Sequence, residues 1–327
     1  MKRDLRFHTA HWPLARVFTL SRGSKTGADV VVVEVEEAGR IGRGECVPYP
    51  RYGETVDSVL EQIRSVRDDI LDGSGRAALS TLLPAGAARN AIDCALWDLE
   101  AKCTGQRVWT LAGLVPPTPS VTAYTLSLDD PEAMGEAAAR NAGRPLLKLK
   151  LDRSDPVARV RAVRAAAPRA RLIVDVNEGW SLDELVLWQE PLAELGVAMI
   201  EQPLPASHDQ ALQGMSLSIP LGADESCHVS ADLVVIAARY QVVNIKLDKT
   251  GGLSEALRLR DAAREAGLGV MIGCMVGTSL SMAPATLLTP GAAFVDLDGP
   301  LLLARDRSPG LQYTPSHVYP PEPDLWG

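Results

Sequence analysis

The sequence is poor in cysteine and histidine, and the spacing of both residue types excludes several kinds of site. Five cysteines occur among 327 residues, widely spaced and without a C-x-x-C pair: Cys46, Cys94, Cys103, Cys227 and Cys274. An odd number of cysteines at this spacing predicts reduced thiols rather than a disulfide framework or a zinc site, which favours the cytoplasm. The five histidines are scattered without the spacing of metal ligands, so we interpret them as structural or surface residues.

Long apolar runs and strong positive charge are also absent. No stretch approaches the roughly 18 apolar residues of a membrane-spanning helix, and the first residues lack the uninterrupted apolar segment of a signal peptide. The net charge is −8, from 33 lysines and arginines against 41 aspartates and glutamates. These features argue against a nucleic acid or a membrane as partner, and they leave small polar molecules as candidates.

A repeat of about 25 residues occupies the chain from residue 119 onward. Eight short apolar runs recur: SVTAYTLSL, LLKLKLD, RLIVDVN, VAMIEQP, IPLGADES, VVNIKLDK, GVMIGCM and AAFVDLDGP. Most gaps between them hold a helix-like stretch with a start signal, such as Pro156 directly after two candidate capping residues. Strand and helix in eightfold alternation predict a (β/α)8 barrel over residues 116–299.

The two ends of the chain differ in character from the repeat. Residues 28–46 have the pattern of a β-hairpin, and residues 54–71 and 87–105 have the pattern of helices, so we predict an α+β domain over residues 1–115. The proline-rich tail, residues 300–327, has no strong period, and we expect it to pack back on the first domain.

In three consecutive runs of the repeat the predicted strand ends in an acidic residue. These residues are Asp175 in RLIVDVN, Glu201 in VAMIEQP and Asp224 in IPLGADES. Because the carboxyl ends of barrel strands face a common site, these carboxylates should converge, and a hard divalent cation would offset their repulsion. An all-oxygen set suits Mg²⁺ best, with Mn²⁺ as a possible substitute. The alternative is that each acid caps the following helix. The adjacent Glu225 is expected to face the other way, because strand residues alternate.

Lysines at alternate positions mark the second run, LLKLKLD. Lys148 and Lys150 would share one strand face, although a solvated face is a simple alternative for this heptapeptide alone. Lys246 on the sixth run places the three acids between two lysine-bearing strands. A bound metal and the neighbouring lysines should depress the pKa values of these lysines, and a neutral lysine is a base. Lys249, an odd number of residues away from Lys246, is expected to serve the loop or solvent.

These motifs together resemble a known family. The K-x-K strand, the three acidic strand ends and the later lysine resemble the enolase superfamily, in its muconate-lactonizing-enzyme-like branch. The resemblance spans nearly the whole chain. Several segments are similar to the dipeptide epimerases that act on L-Ala-D/L-Glu: GECVPYPRYGE, LPAGAARNAIDCALWDLEAK, VAMIEQPLP, ADESCH, NIKLDKTGGL and DLDGP.

The resemblance implies a fold and a set of roles. The fold would be a modified (β/α)7β barrel, in which one helix is replaced, under an N-terminal α+β capping domain. The implied metal ligands are Asp175, Glu201 and Asp224. Lys150 and Lys246 would be acid and base on opposite faces of the substrate α-carbon, with Lys148 near the substrate carboxylate. Lysine bases with Mg²⁺ and an ene-diolate intermediate are the general arrangement of this superfamily.

Residues for substrate recognition follow less directly. In the dipeptide epimerases the D-x-D at the last strand meets the free ammonium, which implies Asp298 with Asp296 in support. A simple loop or capping aspartate is the alternative for Asp298. The distal carboxylate of a glutamyl residue requires a cation, and the capping domain offers three that the sequence does not rank: Arg22, Lys25 and Arg51. Thr125 and the segment GCMVGTS, which follows the seventh run, are candidates for lining the pocket, with simple packing as the alternative.

The leading hypothesis is a Mg²⁺-dependent epimerase of L-Ala-D/L-Glu in murein peptide metabolism. Alternatives within the superfamily are an epimerase of another dipeptide, an o-succinylbenzoate synthase and a muconate cycloisomerase. Asp296 and Asp298 favour an ammonium-bearing substrate over the carboxylate-rich substrates of the last two. A non-catalytic binding protein on the same barrel is the alternative from a different class. A homo-oligomer is possible.

Overall fold

The computed structural model describes residues 3–327, which begin with a three-stranded antiparallel sheet. Its strands follow the chain in the order β1 (Asp4–Leu20), β2 (Gly23–Glu37) and β3 (Arg40–Cys46). The hairpin predicted over residues 28–46 is confirmed as the β2–β3 pair. The long edge strand β1 is absent from the prediction, although the alternation of Leu5 and Phe7 with polar neighbours is a readable strand signal.

Five helices complete the capping domain. They are α1 (Val56–Ser65), α2 (Arg67–Leu71), α3 (Arg76–Leu82), α4 (Ala87–Thr104) and α5 (Val108–Leu111). The helix predicted over residues 54–71 is interrupted at Val66, where the backbone leaves helical geometry. The helix predicted over residues 87–105 is confirmed as α4. The short helices α3 and α5 were not predicted.

Helix α4 is buried on nearly every side because it lies between the cap sheet and the barrel. Its residues Ala91 and Leu96 belong to the core of the cap, whereas Cys94 belongs to the core of the barrel. The approach to β3 is close: a Cβ atom on Gly44 would lie 2.1 Å from the carbonyl oxygen of Ala91. Only glycine fits there, so the helix and the strand hold each other in position.

Eight parallel strands form the curled sheet of the barrel. After the short strand β4 (Ser120–Val121), they are β5 (Tyr124–Leu126), β6 (Leu146–Lys150), β7 (Arg171–Asp175), β8 (Val197–Glu201), β9 (Leu221–Ala223), β10 (Val242–Ile245), β11 (Gly269–Ile272) and β12 (Phe294–Val295). All eight predicted strands are confirmed, in sequential order. The sheet closes where the backbone N–H of Ala123 donates to the carbonyl of Val295 at 2.8 Å.

The helices around the sheet depart from an ideal eightfold repeat. They are α6 (Pro131–Arg140), α7 (Pro156–Ala166), α8 (Leu182–Glu194), α9 (Leu233–Ile236), α10 (Leu247–Thr250), α11 (Leu253–Glu265), α12 (Ser279–Met282) and α13 (Gly299–Leu302). Pro156 opens α7 as its sequence predicted. Between β8 and β9 only a 3-10 turn stands where a helix is expected. The modified barrel with an α+β cap is therefore confirmed as the fold class.

The tail returns to the capping domain after a two-residue strand, β13 (His317–Val318), pairs with β4. The indole N–H of Trp326 donates to the carbonyl of Cys94 at 3.0 Å, and the backbone N–H of Gly327 donates to Asp98 at 2.8 Å. Both partners lie on α4, so the tail covers the helix that joins cap and barrel. Within residues 3–327, every helix is too short or too polar to cross a bilayer.

Candidate active site

The three predicted ligand carboxylates stand side by side at the carboxyl edge of the barrel. Asp175 is the last residue of β7, Glu201 is the last of β8, and Asp224 directly follows β9. Asp175 and Glu201 are partners in the register of their strands. The residues are 0%, 0% and 1% exposed, respectively. A helix-capping carboxylate would lie at the surface, so this burial argues against the capping alternative.

The oxygen atoms of these three carboxylates are suited to a hard cation, and a lysine ammonium group lies between two of the carboxylates. Lys148 Nζ is 3.1 Å from Asp175 Oδ2 and 2.8 Å from Glu201 Oε2. With these ammonium groups in place, residues 3–327 include no three His, Cys, Asp or Glu side chains arranged around one ion. Glu201 Oε2 and Asp224 Oδ1 are buried, and their contacts within the described chain are ion pairs with Lys148 and Lys249 without hydrogen-bond geometry. Buried all-oxygen donors of this kind are suited to Mg²⁺.

The predicted catalytic lysines enter the same cavity from opposite sides. Lys150 Nζ lies 2.5 Å from Asp175 Oδ2, and Lys246 Nζ lies 2.6 Å from Asp224 Oδ2. Lys150 belongs to β6 and Lys246 follows β10, which is four strands away in a ring of eight. The solvated-face alternative is wrong, because Lys148, Lys150 and Lys246 are only 3%, 8% and 6% exposed.

Within the described chain, neighbouring carboxylates oppose the depression of the pKa that was predicted for lysines beside a metal ion. Burial lowers the pKa of Lys148, but three neighbouring carboxylates together raise it well above its ordinary value. Burial likewise lowers the pKa of Lys246, while Asp224 and Glu201 raise it by more. The prediction considered the neighbouring cations, whereas carboxylates at hydrogen-bond distance have the larger effect.

The carboxylates respond to the same pairing. Burial raises the pKa of Asp224, but the charges of Lys246 and Lys249 have the larger, opposite effect and bring this pKa well below its ordinary value. Burial, followed by the charge of Asp175, raises the pKa of Glu201 above its ordinary value. Glu201 is therefore the one of the three carboxylates whose pKa is raised, and a further positive charge would favour its ionised form.

Of two residues next to the site, Glu225 differs from its predicted orientation, whereas Lys249 takes the loop role, one of the two predicted for it. Glu225 faces the cavity, where its Oε1 lies 2.7 Å from Arg22 Nη1, because β9 ends at Ala223 and strand alternation stops there. Lys249 is 1% exposed, and its Nζ lies 2.8 Å from Asp224 Oδ1. It also donates to the carbonyl of Asp224 at 2.6 Å. Lys249 thus braces the loop of Asp224 and does not reach solvent.

Three amides that the sequence reading missed hold the charged groups in place. Asn177 accepts from Lys150 at 3.1 Å, and Asn244 donates to Glu201 at 2.7 Å. Gln202 accepts from the backbone N–H of Asp224 at 2.9 Å. A signal was available for the first two, because Asn177 is two residues after Asp175 and Asn244 is two residues before Lys246. The contact of Gln202 depends on the neighbouring strand and had no local signal.

The D-x-D motif lines the wall of this cavity opposite the three carboxylates, and the cavity opens to solvent. Asp296 Oδ2 lies 2.8 Å from Lys148 Nζ, while its Oδ1 is buried without a hydrogen bond within residues 3–327. Asp298 accepts from the backbone N–H of Thr125 at 2.6 Å. Burial, together with Asp296, raises the pKa of Asp298 to about 7. Thr125 thus positions Asp298 through its backbone, and both residues line the cavity.

The three candidate cations of the capping domain are not equivalent. Arg51 donates to both carboxylate oxygens of Glu178, at 2.5 and 2.6 Å. Arg22 lines the cavity but is paired with Glu225 and Glu178. Lys25 also lines the cavity, and its ammonium lies 4.7 Å from the centre of the Tyr49 ring. Of these three cations, Lys25 is therefore the one that forms no ion pair with a carboxylate of the described chain.

This arrangement is chemically suited to moving a proton next to a carboxylate. Two lysines reach the cavity from opposite strands, so that each can exchange a proton on one side of a bound carbon atom. The buried carboxylates can hold a cation that offsets developing negative charge. The acidic D-x-D wall favours an ammonium group on the same molecule.

Comparison with known proteins identifies the family. Residues 2–113 match the mandelate racemase / muconate lactonizing enzyme N-terminal domain, and residues 133–306 match the enolase C-terminal domain-like family. The chain is 48% identical to the L-Ala-D/L-Glu epimerase of Escherichia coli strain K12, over 97% of this chain and 99% of that protein. It is 46% identical to an N-acetyl-D-glutamate racemase of a Pseudoalteromonas species, over 91% and 95% of the two chains.

Solved structures agree with this assignment. An enolase family member from Agrobacterium tumefaciens with homology to dipeptide epimerases, with bound sodium and L-Ala-L-Glu, is 52% identical with a TM-score of 0.97. The aligned parts cover 99% of this chain and 100% of that chain. A dipeptide epimerase of Enterococcus faecalis V583, complexed with Mg and L-Leu-L-Tyr, is 28% identical with a TM-score of 0.91, covering 98% of each chain. The chain therefore belongs to the enolase superfamily, among its racemases and epimerases, which are isomerases.

Proposed function

We propose that this protein is a Mg²⁺-dependent epimerase of L-Ala-D/L-Glu that works by two-base proton transfer at the α-carbon of the C-terminal residue. The observation that carries the proposal is the pair Lys150 and Lys246, both buried and brought to one cavity from opposite sides of the barrel. A binding protein has no need of two opposed bases, so the non-catalytic alternative is disfavoured.

The reaction follows from the position of these groups. One lysine takes the α-proton from its own face of the substrate, and the other returns a proton from the opposite face, which inverts the centre. Loss of the proton leaves an enolate with a second negative charge on the substrate carboxylate, which Lys148 stabilises from the middle of the cavity. Asp175, Glu201 and Asp224 would hold Mg²⁺, which supplies the remaining positive charge when bound.

A dipeptide with a free ammonium fits the wall formed by the D-x-D motif. Asp296 Oδ1 is a buried acceptor without a partner within the described chain, and Asp298 lies beside it in the cavity. An ammonium donates three hydrogen bonds and would satisfy both carboxylates. The same wall would repel an additional substrate carboxylate, which disfavours the o-succinylbenzoate synthase and muconate cycloisomerase alternatives.

Replacement of Asp298 by asparagine tests the ammonium contact. We expect Asp298→Asn to reduce kcat/KM for L-Ala-L-Glu. The corresponding loss of transition-state stabilisation is about 2–5 kcal/mol, the usual cost of breaking one side of a buried charge pair. An N-acetylated dipeptide, which has no ammonium, should lose little further in this variant. Steady-state kinetics with both substrates measure the difference. If Asp298→Asn prefers the free amine as strongly as the wild type does, Asp298 does not bind the ammonium.

Lys25 is our choice for the contact with the distal carboxylate of the glutamyl residue. Burial lowers the pKa of Lys25 below its ordinary value, and Arg22 adds to this effect. A substrate carboxylate would offset that unfavourable environment. Lys25→Met should therefore raise KM for L-Ala-L-Glu about tenfold, the cost of one charge-assisted hydrogen bond, and change KM much less for L-Ala-L-Leu. Arg51→Met is the matched control, and an equal or larger effect of that variant would transfer the role to Arg51.

A second candidate function has a specific observation behind it. One relative, 46% identical to this chain, is an N-acetyl-D-glutamate racemase. Racemisation of an N-acylated glutamate would use the same lysines and the same cation for the distal carboxylate. The two functions differ in the D-x-D wall, because an acetyl group gives Asp296 and Asp298 nothing to pair with. We therefore favour the dipeptide.

Exchange of the α-proton in D₂O tests the proposed function. Proton NMR should show loss of the glutamyl α-proton and appearance of the second epimer when L-Ala-L-Glu or L-Ala-D-Glu is incubated with the protein and Mg²⁺. N-acetyl-L-glutamate and a panel of other dipeptides serve as competitors. Faster exchange of N-acetylglutamate, or of a dipeptide without an acidic residue, would replace the proposal. We place the enzyme in murein peptide metabolism and in the cytoplasm, where its five free cysteines would remain reduced.

A further inference from the structure

Glu45 is a buried acid for which the proposed reaction has no use. It lies near the end of β3 in the capping domain, and its side chain is 0% exposed. Its Oε2 is 2.6 Å from Arg307 Nη2, and its Oε1 accepts the backbone N–H of Thr278 at 2.8 Å. The Thr278 hydroxyl donates to Oε2 at 2.6 Å and accepts from Arg307 Nε at 2.7 Å. We call Glu45, Thr278 and Arg307 the Glu45 cluster.

The cluster joins three parts of the chain that are distant in sequence. Glu45 belongs to the cap, Thr278 belongs to the loop between β11 and α12, and Arg307 belongs to the tail. The tail holds that loop at a second point, because Asp306 Oδ1 accepts the backbone N–H of Ser279 at 3.0 Å. Cap and tail together therefore set where the loop stands.

The same loop forms a wall of the active-site cavity. Its residues Cys274, Met275 and Val276 line the cavity beside the D-x-D motif. The loop backbone also presses against Gly299, the residue after Asp298. A Cβ atom on Gly299 would lie 3.2 Å from the carbonyl oxygen of Met275 and 3.2 Å from the backbone nitrogen of Gly277. A shift of the loop would therefore open space next to the carboxylate of Asp298.

We propose that Glu45 and Arg307 are positioning residues that determine which N-terminal residue of a dipeptide substrate the enzyme accepts. This inference rests on the proposed function, because it assigns the wall beside Asp298 to the first residue of a dipeptide. Removal of Arg307 leaves Glu45 buried without its cation, which is costly. The cluster would then rearrange, and the loop would lose its fixed distance from Gly299.

Two variants and one matched control test the proposal. Arg307→Met and Glu45→Gln remove the ion pair, and Arg305→Met replaces a nearby exposed arginine of the tail. Hydrogen exchange followed by mass spectrometry, without substrate, should show faster exchange for the peptide spanning residues 273–283 in both cluster variants and no change in the control. Arg307→Lys, which keeps the charge but not both contacts, should exchange at an intermediate rate and keeps the test available if either variant fails to fold.

Kinetics supply a readout that a merely structural role would not move. The ratio of kcat/KM for L-Leu-L-Glu to that for L-Ala-L-Glu should rise about tenfold in Arg307→Met, as expected when a pocket wall that excludes additional methylene groups relaxes. It should stay at the wild-type value in Arg305→Met and rise less in Arg307→Lys.

The outcomes separate this inference from the proposed function. If folded Arg307→Met shows unchanged exchange of residues 273–283, the cluster does not position the loop. If exchange rises but the substrate ratio stays constant, the loop does not select the first residue. Either result overturns the inference while dipeptide turnover by the wild type stands. A wild type that epimerises neither dipeptide overturns the proposed function, and hydrogen exchange still tests the coupling of Glu45 to the loop.

Discussion

Lys150→Ala and Lys246→Ala are each expected to abolish epimerisation in both directions. Every turnover needs one group to take the proton and the other to return it, so the loss of either lysine stops inversion. A general acid or base typically contributes about 10²–10⁴-fold to the rate. The kcat of each variant should therefore fall by about 10⁴-fold or more. Circular dichroism and Mg²⁺ titration confirm that the variants fold and bind the ion.

Isotope exchange distinguishes the two lysines. Each single variant should still wash solvent deuterium into the one epimer whose α-proton faces the remaining lysine, with retention of configuration. Because Lys150 and Lys246 stand four strands apart in a ring of eight, the two variants should select opposite epimers. Proton NMR of the α-position in D₂O, run separately for L-Ala-L-Glu and L-Ala-D-Glu, measures this selection. Exchange of the same epimer by both variants, or inversion at near the wild-type rate by either, would contradict opposed bases.

Removal of the metal is expected to abolish activity, and Mg²⁺ should restore it. Lys148 lies 3.1 Å or less from Asp175 and Glu201. Those carboxylates help to keep the pKa of Lys148 high. We expect turnover to disappear after exhaustive dialysis against a chelator and to return on addition of Mg²⁺, with Mn²⁺ as a weaker substitute. Full turnover by protein with verified metal depletion would refute the assignment of the three ligands.

Asp224→Asn separates metal binding from folding. The substitution keeps the shape of the side chain and removes one ligand charge, so Mg²⁺ affinity and activity should fall by more than the roughly 10–100-fold that loss of an outer-shell partner costs, while the thermal midpoint changes less. Asp261→Asn, at an exposed position on α11, is the matched control and should leave Mg²⁺ affinity, activity and the thermal midpoint unchanged. Calorimetric titration with Mg²⁺ and thermal unfolding measure the two effects. Unchanged affinity in Asp224→Asn would remove this residue from the ligand set.

Local patterns in the sequence were sufficient for most of the barrel. Each strand is a short apolar run between helix-forming segments, and each barrel strand directs its final side chain toward the same edge. The places of Asp175 and Glu201 follow from that rule, as do the places of Lys148 and Lys150. The rule failed at Glu225, because β9 ends one residue before Asp224 and alternation has no meaning beyond a strand end.

The sequence alone determined the barrel, its order of strands and the chemical types that meet at its carboxyl edge, because these depend on periods of two and of about twenty-five residues. Only the tertiary structure decided which charges neutralise one another. It paired Arg22 with Glu225 and left Lys25 facing the cavity, and it turned Lys249 inward onto Asp224. It also brought Glu45, Thr278 and Arg307 together across the chain. Such pairings depend on distances between segments far apart in sequence, and a pKa depends on the sum of all neighbouring charges, so no local pattern contains them.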